Sequence, residues 1–293
     1  MMEDQAMIAS MTAFARQTKT TSFGSLVWEI RSVNHRYLEV SLRLPDFLNP
    51  LESPIRDQIH RQLHRGKVDA VLRFQSGMKV SFQLVANRTL IAQLAKASES
   101  ALEFFPTASI NMMDVLSWPG VLETPEQPMD EITQDVLTLL KATLDDVVQS
   151  RRREGEGIQQ FLLERLSNLQ KGTTNIKKRV PELMDVTRQK IKSRFEELSL
   201  SVEQERLEQE MVWLIQKMDV SEELQRLEAH QIEVQRILEQ GGVVGRRLDF
   251  LMQELNREAN TLSSKSWDAD VTQIAVELKV QIEQMREQVQ NLE

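Results

Sequence analysis

The feature that most constrains this fold is a change of hydrophobic period partway along the chain. Over residues 23–33, Leu26, Trp28 and Ile30 alternate with Val27, Glu29 and Arg31. Over 36–44, Leu38, Val40, Leu42 and Leu44 alternate with Tyr37, Glu39, Ser41 and Arg43. A period of two marks half-buried strands of an antiparallel sheet. Residues 7–16 are a further short strand candidate, and Val68, Ala70, Leu72 and Phe74 resume the alternation. Between them, Leu51, Ile55, Ile59 and Leu63 predict a helix over 51–64, closed by Arg65-Gly66, and a second helix is expected over 88–104. After Trp118-Pro119-Gly120 and the run to Pro128 the grammar changes. From 130 to 292 apolar residues recur at three and four, as in Ile132, Val136, Leu139, Leu140 and in Ile274, Leu278, Ile282, Met285, Val289. Breaks are expected at Gly155 and Gly157, near Pro181, at 199–202, at Gly241-Gly242 and at 263–268. Such narrow stripes bury against partner helices, in one chain or between copies. The expectation is an α+β protein: an N-terminal antiparallel sheet with helices over 1–125, then a long-helix, coiled-coil-like domain over 126–293.

Composition removes several classes of chemistry. The chain has no cysteine, so disulfides and thiolate metal sites are excluded, and any metal would rest on carboxylates, imidazoles and water. No apolar stretch approaches a membrane span and the first residues lack a signal pattern, so a cytoplasmic location is expected. The net charge of −8 is unevenly spread. Residues 10–88 hold 12 Lys/Arg against 6 Asp/Glu, whereas 121–293 hold 23 against 33. Local basic surface, not total charge, governs nucleic-acid contact. Aromatics are only 5% of residues, so contact with RNA would be to backbone and shape more than to stacked bases. There is no P-loop, dinucleotide fingerprint, zinc-protease pair or nucleophile elbow.

Four patterns carry candidate chemistry. On the helix expected over 243–265, Val244, Leu248, Leu251, Leu255 and Leu262 form an apolar stripe; Arg247, Glu254, Glu258 and Lys265 lie on its neighbour, with Arg246 and Arg257 beyond. Two carboxylates one turn apart between cations suit an oxygen-ligated metal handling phosphate. Glu223 and His230, seven apart, share a face of the preceding helix. If Gly241-Gly242 lets the helices fold back, these faces meet, either as a carboxylate/imidazole site for Mg²⁺ or Mn²⁺ or as interhelical hydrogen bonds. Glu29, Arg31 and His35 share the face opposite Trp28 and Ile30, able to grip a phosphate or to form an ordinary solvated face. Arg65-Gly66-Lys67 is a phosphate grip or a plain helix cap, and Arg151-Arg152-Arg153 and Lys177-Lys178-Arg179 are basic runs on helices, solvated or lining a groove.

Together these residues resemble the YicC/YloC family of bacterial proteins over essentially the whole chain. The resemblance rests on Ser10-Met11-Thr12-Ala13-Phe14-Ala15-Arg16, on Glu29 to Arg36 with Leu38-Glu39, and on Arg65-Gly66-Lys67-Val68. It continues in Pro119-Gly120-Val121-Leu122, in Asp219 to Leu224 with His230, and from Arg246-Arg247-Leu248-Asp249 through Asn256-Arg257-Glu258-Ala259-Asn260-Thr261. The chain departs from the pattern at Ser263, Trp267 and Val234, and six residues precede the usual start near Met7.

The resemblance implies a divalent-metal-dependent endoribonuclease, a homohexamer that clamps RNA and acts in RNA turnover, with no small-molecule cofactor and no membrane. On that reading Glu254 and Glu258, with Glu223 and His230, hold Mn²⁺ or Mg²⁺. Arg31, Arg36, Arg65, Lys67, Arg246, Arg247, Arg257 and Lys265 position phosphates, and His35 moves the proton, in its own subunit or a neighbour's. The alternatives are a non-catalytic RNA-binding adaptor or chaperone, and a helical scaffold. A scaffold would pair each acid of the stripe with a base on a neighbouring helix.

Overall fold

A computed structural model describes residues 7–21, 23–76, 85–123, 129–197, 209, 212–213 and 219–293. Strands β1 (Ala13–Thr21), β2 (Gly24–Val33), β3 (Leu38–Arg43) and β4 (Gly66–Ser76) form one sheet in the order β1-β2-β4-β3. β1 pairs β2 and β2 pairs β4 antiparallel, but β3 runs parallel to β4, Leu38 facing Gly66 and Arg43 facing Val71. The sheet is therefore mixed rather than wholly antiparallel. The connection explains it: a 3₁₀ turn (Asp46–Leu51) and helix α1 (Glu52–Gln62) carry the chain back to the starting end, which a parallel pair requires.

Alternation decides which face is covered. Leu26, Trp28, Ile30, Val68, Ala70 and Leu72 point inward and are buried against Ile55 and Ile59 of α1 and Ile132, Val136, Leu140, Leu144 and Val147 of α4 (Met129–Glu197). Trp28 has no exposed surface, and its indole N–H donates to the Val136 carbonyl at 3.1 Å. The opposite face, with Phe14, Arg31 and Arg73, is open. A small outlying pair, β5 (Val85–Ala86) with β6 (Leu122–Glu123), accompanies α2 (Arg88–Leu102) and α3 (Met112–Leu116), neither of which has a buried residue.

The same α4 serves a second core. From Ile158 to Val180 its stripe packs with α5 (Ser221–Gln240), α6 (Gly245–Lys265) and α7 (Ala269–Val289) as a four-helix bundle. The two cores thus divide within α4, between Val148 and Ile158. Two expected breaks are absent, since α4 runs unbroken through Gly155, Gly157 and Pro181. Gly155 is a contact point, not a stop: a Cβ there would lie 2.2 Å from the Ile8 carbonyl. Around Pro181 the helix is held by packing, with Ile176 and Val180 buried. The break expected at 199–202 lies outside the described residues. Gly241 and Gly242, at φ 67° and 87°, do break the chain, in backbone that residues with a Cβ rarely adopt, and Ser266 ends α6. No helix among the described residues is long and apolar enough to cross a membrane.

A strap joins the two cores. Ser10 bridges Leu292, Met11 N–H donates to the Asn291 carbonyl at 2.8 Å, and Glu293 N–H donates to the Ala9 carbonyl at 3.0 Å. Beneath it lies Arg151, 3% exposed, donating to Ser32 Oγ at 2.5 Å and to the Arg65 carbonyl at 3.0 Å and standing 3.7 Å from the Glu293 carboxylate. Arg151 is therefore neither a solvated base nor a groove residue. Burial pushes its pKa down, against the opposing pull of Glu293. Lys177 and Arg179 are likewise committed within the bundle, to Glu228 at 2.8 Å and Asp270 at 2.5 Å.

Candidate functional site

The strap leaves a cleft beside it where the sheet meets the bundle. The β2–β3 turn enters with Asn34, whose amide donates to the Gln290 carbonyl at 2.5 Å. Arg65, following α1, donates from Nε to the His35 carbonyl at 3.2 Å and so fixes that turn. The third wall is the start of α6, where the Val244 and Gly245 N–H groups both donate to the Glu293 carbonyl at 3.0 Å. Gly245 is required there because a Cβ would stand 2.3 Å from the Leu292 carbonyl. The cleft has a volume of about 680 Å³ and is lined by Asn34, Arg36, Tyr37, Arg65, Arg246, Asp249 and Gln290, with Gly245, Val289 and Leu292.

Three arginines therefore converge from three separate elements. Among the described residues none of Arg36, Arg65 and Arg246 has an acidic ion-pair partner, although the Arg36 guanidinium lies over the Tyr37 ring at 5.2 Å. Three guanidiniums with a single carboxylate, Asp249, on the same concave wall leave an excess of positive charge suited to an anion, best a planar or forked one such as phosphate.

His35 stands on the same turn, half-exposed. Its Nδ1 lies 3.1 Å from the Tyr37 carbonyl and 3.4 Å from the Tyr37 N–H, the first contact suiting a protonated and the second a bare Nδ1, and its Nε2 is 3.8 Å from Glu39. Glu39 is also 3.5 Å from Lys67. Arg31 sits on the open sheet face opposite Asp69 in β4. Neither Arg31 nor Lys67 lines the cleft.

The acidic stripe of α6 has a different setting. Gly241-Gly242 does fold α5 back against α6, but what meets across the hairpin is opposite charge. Glu223 receives Lys265 at 2.8 Å, Glu258 receives Arg226 at 3.4 Å, and Glu233 receives Arg247 at 3.2 Å. Lys265 also donates to the Asp219 carbonyl, and Arg226 pairs with Glu222. These pairs act on titration: hydrogen bonding to Glu258, then the charge of Glu222, raises the pKa of Arg226, and Arg236 first, with Arg247 behind it, lowers that of Glu233. Glu223 and Glu258 are both buried, and Oε2 of Glu223 has no hydrogen-bond partner. Glu254 is 3.8 Å from Arg257 on its own helix.

Oxygen and imidazole donors of this kind suit Mg²⁺ or Mn²⁺. Yet among the described residues no three His, Asp or Glu side chains are grouped to hold one ion. Glu223 and Glu258 are each held by a cation. As they stand in one chain, Glu223, His230, Glu254 and Glu258 do not fit a divalent metal. At 1.5 Å per residue, Glu254 and Glu258 lie about 12 and 18 Å along α6 from Arg246, so cleft and stripe are separate places.

Of the residues expected to meet phosphate, Arg36, Arg65 and Arg246 are brought together; His35 is on the same turn as Arg36 but does not line the cleft. Arg31, Lys67, Arg247, Arg257 and Lys265 are not. Sequence reading missed Asn34, Tyr37, Asp249 and Gln290. Asn34 and Tyr37 flank His35-Arg36, and Asp249 follows Arg246 by one helical turn, so the signal was adjacency to candidates already in view.

Comparison with known proteins agrees along the whole chain. Residues 8–160 match the family described as endoribonuclease YicC-like, N-terminal region, and residues 176–293 match endoribonuclease YicC-like, C-terminal. A protein of Haemophilus influenzae named probable endoribonuclease YicC is 45% identical over 287 residues, spanning 98% of this chain and all of the relative. A protein of the same name from Clostridioides difficile is 30% identical over 297 residues, again spanning 98% of this chain and the whole relative. This chain belongs to the YicC-like endoribonuclease family.

Proposed function

We propose that this protein cuts RNA phosphodiester bonds internally and that the RNA backbone enters the cleft between the sheet and α6. The observation that carries the reading is the convergence of Arg36, Arg65 and Arg246, without acidic partners, around a space of about 680 Å³. The name shared by the relatives supplies the substrate class. The arginines hold the phosphate and offset the charge that grows on it as the attacking oxygen bonds to phosphorus and the leaving oxygen departs. His35, next to Arg36 on the turn that bounds the cleft, is the group that takes the proton of the attacking hydroxyl. Cleavage of an end-labelled structured RNA tests this. Arg65→Gln and His35→Gln are each expected to lower the rate by about 10²-fold or more with folding retained. Cutting at wild-type rate by both would end the reading.

A second reading has one observation in its favour. Glu223 Oε2 is buried without a partner, and Glu258 meets its cation only at 3.4 Å, so both acids retain acceptor capacity. On that reading the divalent ion implied by the family is held at the stripe, with donors beyond those one chain groups. EDTA separates the two, since only the second reading has cutting abolished by chelation and restored by Mn²⁺. Self-association belongs to the same proposal, supported by Phe104, Phe105, Met112, Met113 and Trp118, all exposed in the single chain. Sedimentation of the intact protein measures the subunit count, for which six is the expectation.

A further inference from the structure

The cleft contains one group that a site built only for phosphate would exclude. Asp249, one turn into α6 from Arg246, lines the same space as the three arginines. Among the described residues it forms no ion pair with any of them, and its one side-chain hydrogen bond is from the Gln253 amide, at 2.9 Å to Oδ2. Oδ1 and the remaining lone pairs are free. A carboxylate repels a phosphate, so its presence has to be matched by hydrogen-bond donors on the ligand. Tyr37, 64% exposed with Arg36 over its ring, offers an aromatic surface at the same wall.

A ligand for this cleft therefore has an anion, a flat π face and paired N–H donors. Among the four RNA bases only guanine meets the last condition. Its pairing edge offers the ring N1–H and the exocyclic amine side by side, matching the two oxygens of a carboxylate. Adenine and cytosine place a bare ring nitrogen beside their amine, and uracil flanks its single N–H with two carbonyls; each would set a lone pair against the carboxylate. We propose that Asp249 reads an unpaired guanosine of the RNA chain, stacked at Tyr37 with its neighbouring phosphates on the arginines. This rests on the RNA reading above and adds base selectivity to it.

Fluorescence anisotropy with labelled 2′-O-methyl heptamers, which resist cutting, tests the inference. The four probes carry G, A, C or U at the centre of a uridine run. The wild type should bind the G probe about tenfold or more tighter than the other three, the factor that one bidentate pair supplies. Asp249→Asn should remove that preference or turn it toward A, because an amide presents one donor and one acceptor. Arg65→Gln should weaken all four probes alike and leave the preference intact. Equal binding of the four probes, with Arg65→Gln weakening all, would overturn guanine selectivity while leaving the RNA reading in place. No binding of any probe, with Arg65→Gln without effect, would overturn both. Retention of the G preference by a folded Asp249→Asn protein would overturn the role of Asp249. Displacement of the G probe by 5′-GMP at the probe's own Kd would overturn the chain as source and assign the cleft to a free nucleotide.

Discussion

The two ends of α6 carry the same residue types in opposite circumstances. At its start, Arg246 opens onto a cleft shared with Arg36 and Arg65, with no acid paired to any of them among the described residues. Further along, Glu258 meets Arg226, and the terminal Lys265 meets Glu223. Charges that cancel across a helix hairpin fix its register and leave little field outside. Three guanidiniums gathered on a concave wall against one carboxylate, Asp249, leave an excess of positive charge that costs self-repulsion until an anion arrives. On the proposed reading the cleft is where substrate is held, and the ladder is the device that locks α5 on α6.

The largest expected effect lies at the cleft. Replacing Arg36, Arg65 and Arg246 together by Gln should reduce RNA cutting by about 10³-fold or more, as loss of several phosphate contacts does. The melting temperature should change little, loss of the Arg65 bond to the His35 carbonyl being offset by relief of repulsion. A large fall in melting temperature would show the three to be structural and erase the contrast. Next is the ladder. Lys265→Met strands the buried Glu223 carboxylate and should cost about 3 kcal/mol, the low end for a broken buried pair because Lys265 is itself one-third exposed. Denaturant unfolding measures it, and adding Glu223→Gln should recover most of the loss. An additive double variant would show that the pair does not interact.

How much of this was legible in the sequence follows from what each residue answers to. Periodicity answers to local burial, so Leu26, Trp28, Ile30 and the stripe of α6 were readable, as was the turn at Gly241-Gly242. Glycine is ambiguous by itself: Gly155 read as a break because its reason, the Ile8 carbonyl lying against it, comes from a segment almost 150 residues away. Arg151 read as solvated or groove-lining for the same cause, since Ser32 and Glu293 close over it only in the folded chain. The parallel β3–β4 pair depends on the crossover, which alternation does not report. At the site, residue type offered Arg36, Arg65 and Arg246 as candidate phosphate ligands but not that they, rather than Arg31, Lys67 or Arg257, converge. The stripe of Glu254 and Glu258 was plain; the cations that answer Glu223 and Glu258 from the facing helix, Lys265 and Arg226, were visible only after the hairpin closed.

The smallest expected effect sharpens the ladder side. Asp219, just before the Val220 N-cap of α5, accepts the Ser221 N–H at 2.9 Å, and the hydrogen bonds from Ser221 hold its pKa below the ordinary carboxylate value. A depressed native pKa contributes stability above the unfolded value, about 3.9, and that contribution is lost as pH falls through the native value. Asp219→Ala should therefore cost about 1 kcal/mol at neutral pH, the usual net worth of one hydrogen bond, and progressively less below about pH 4. Unfolding curves at pH 7 and pH 3 check the sign, and a cost that grows on acidification would contradict it.

The central claim is that substrate is handled at the cleft and not at the acidic stripe. The most direct measurement is cleavage of one end-labelled structured RNA by wild type, Arg65→Gln and Glu258→Gln, each shown folded, in EDTA and in Mn²⁺. The account predicts that Arg65→Gln loses cutting and Glu258→Gln keeps it, with chelation making no difference. Cutting abolished by Glu258→Gln and by EDTA, with Arg65→Gln unimpaired, would contradict it and move the chemistry to the ladder.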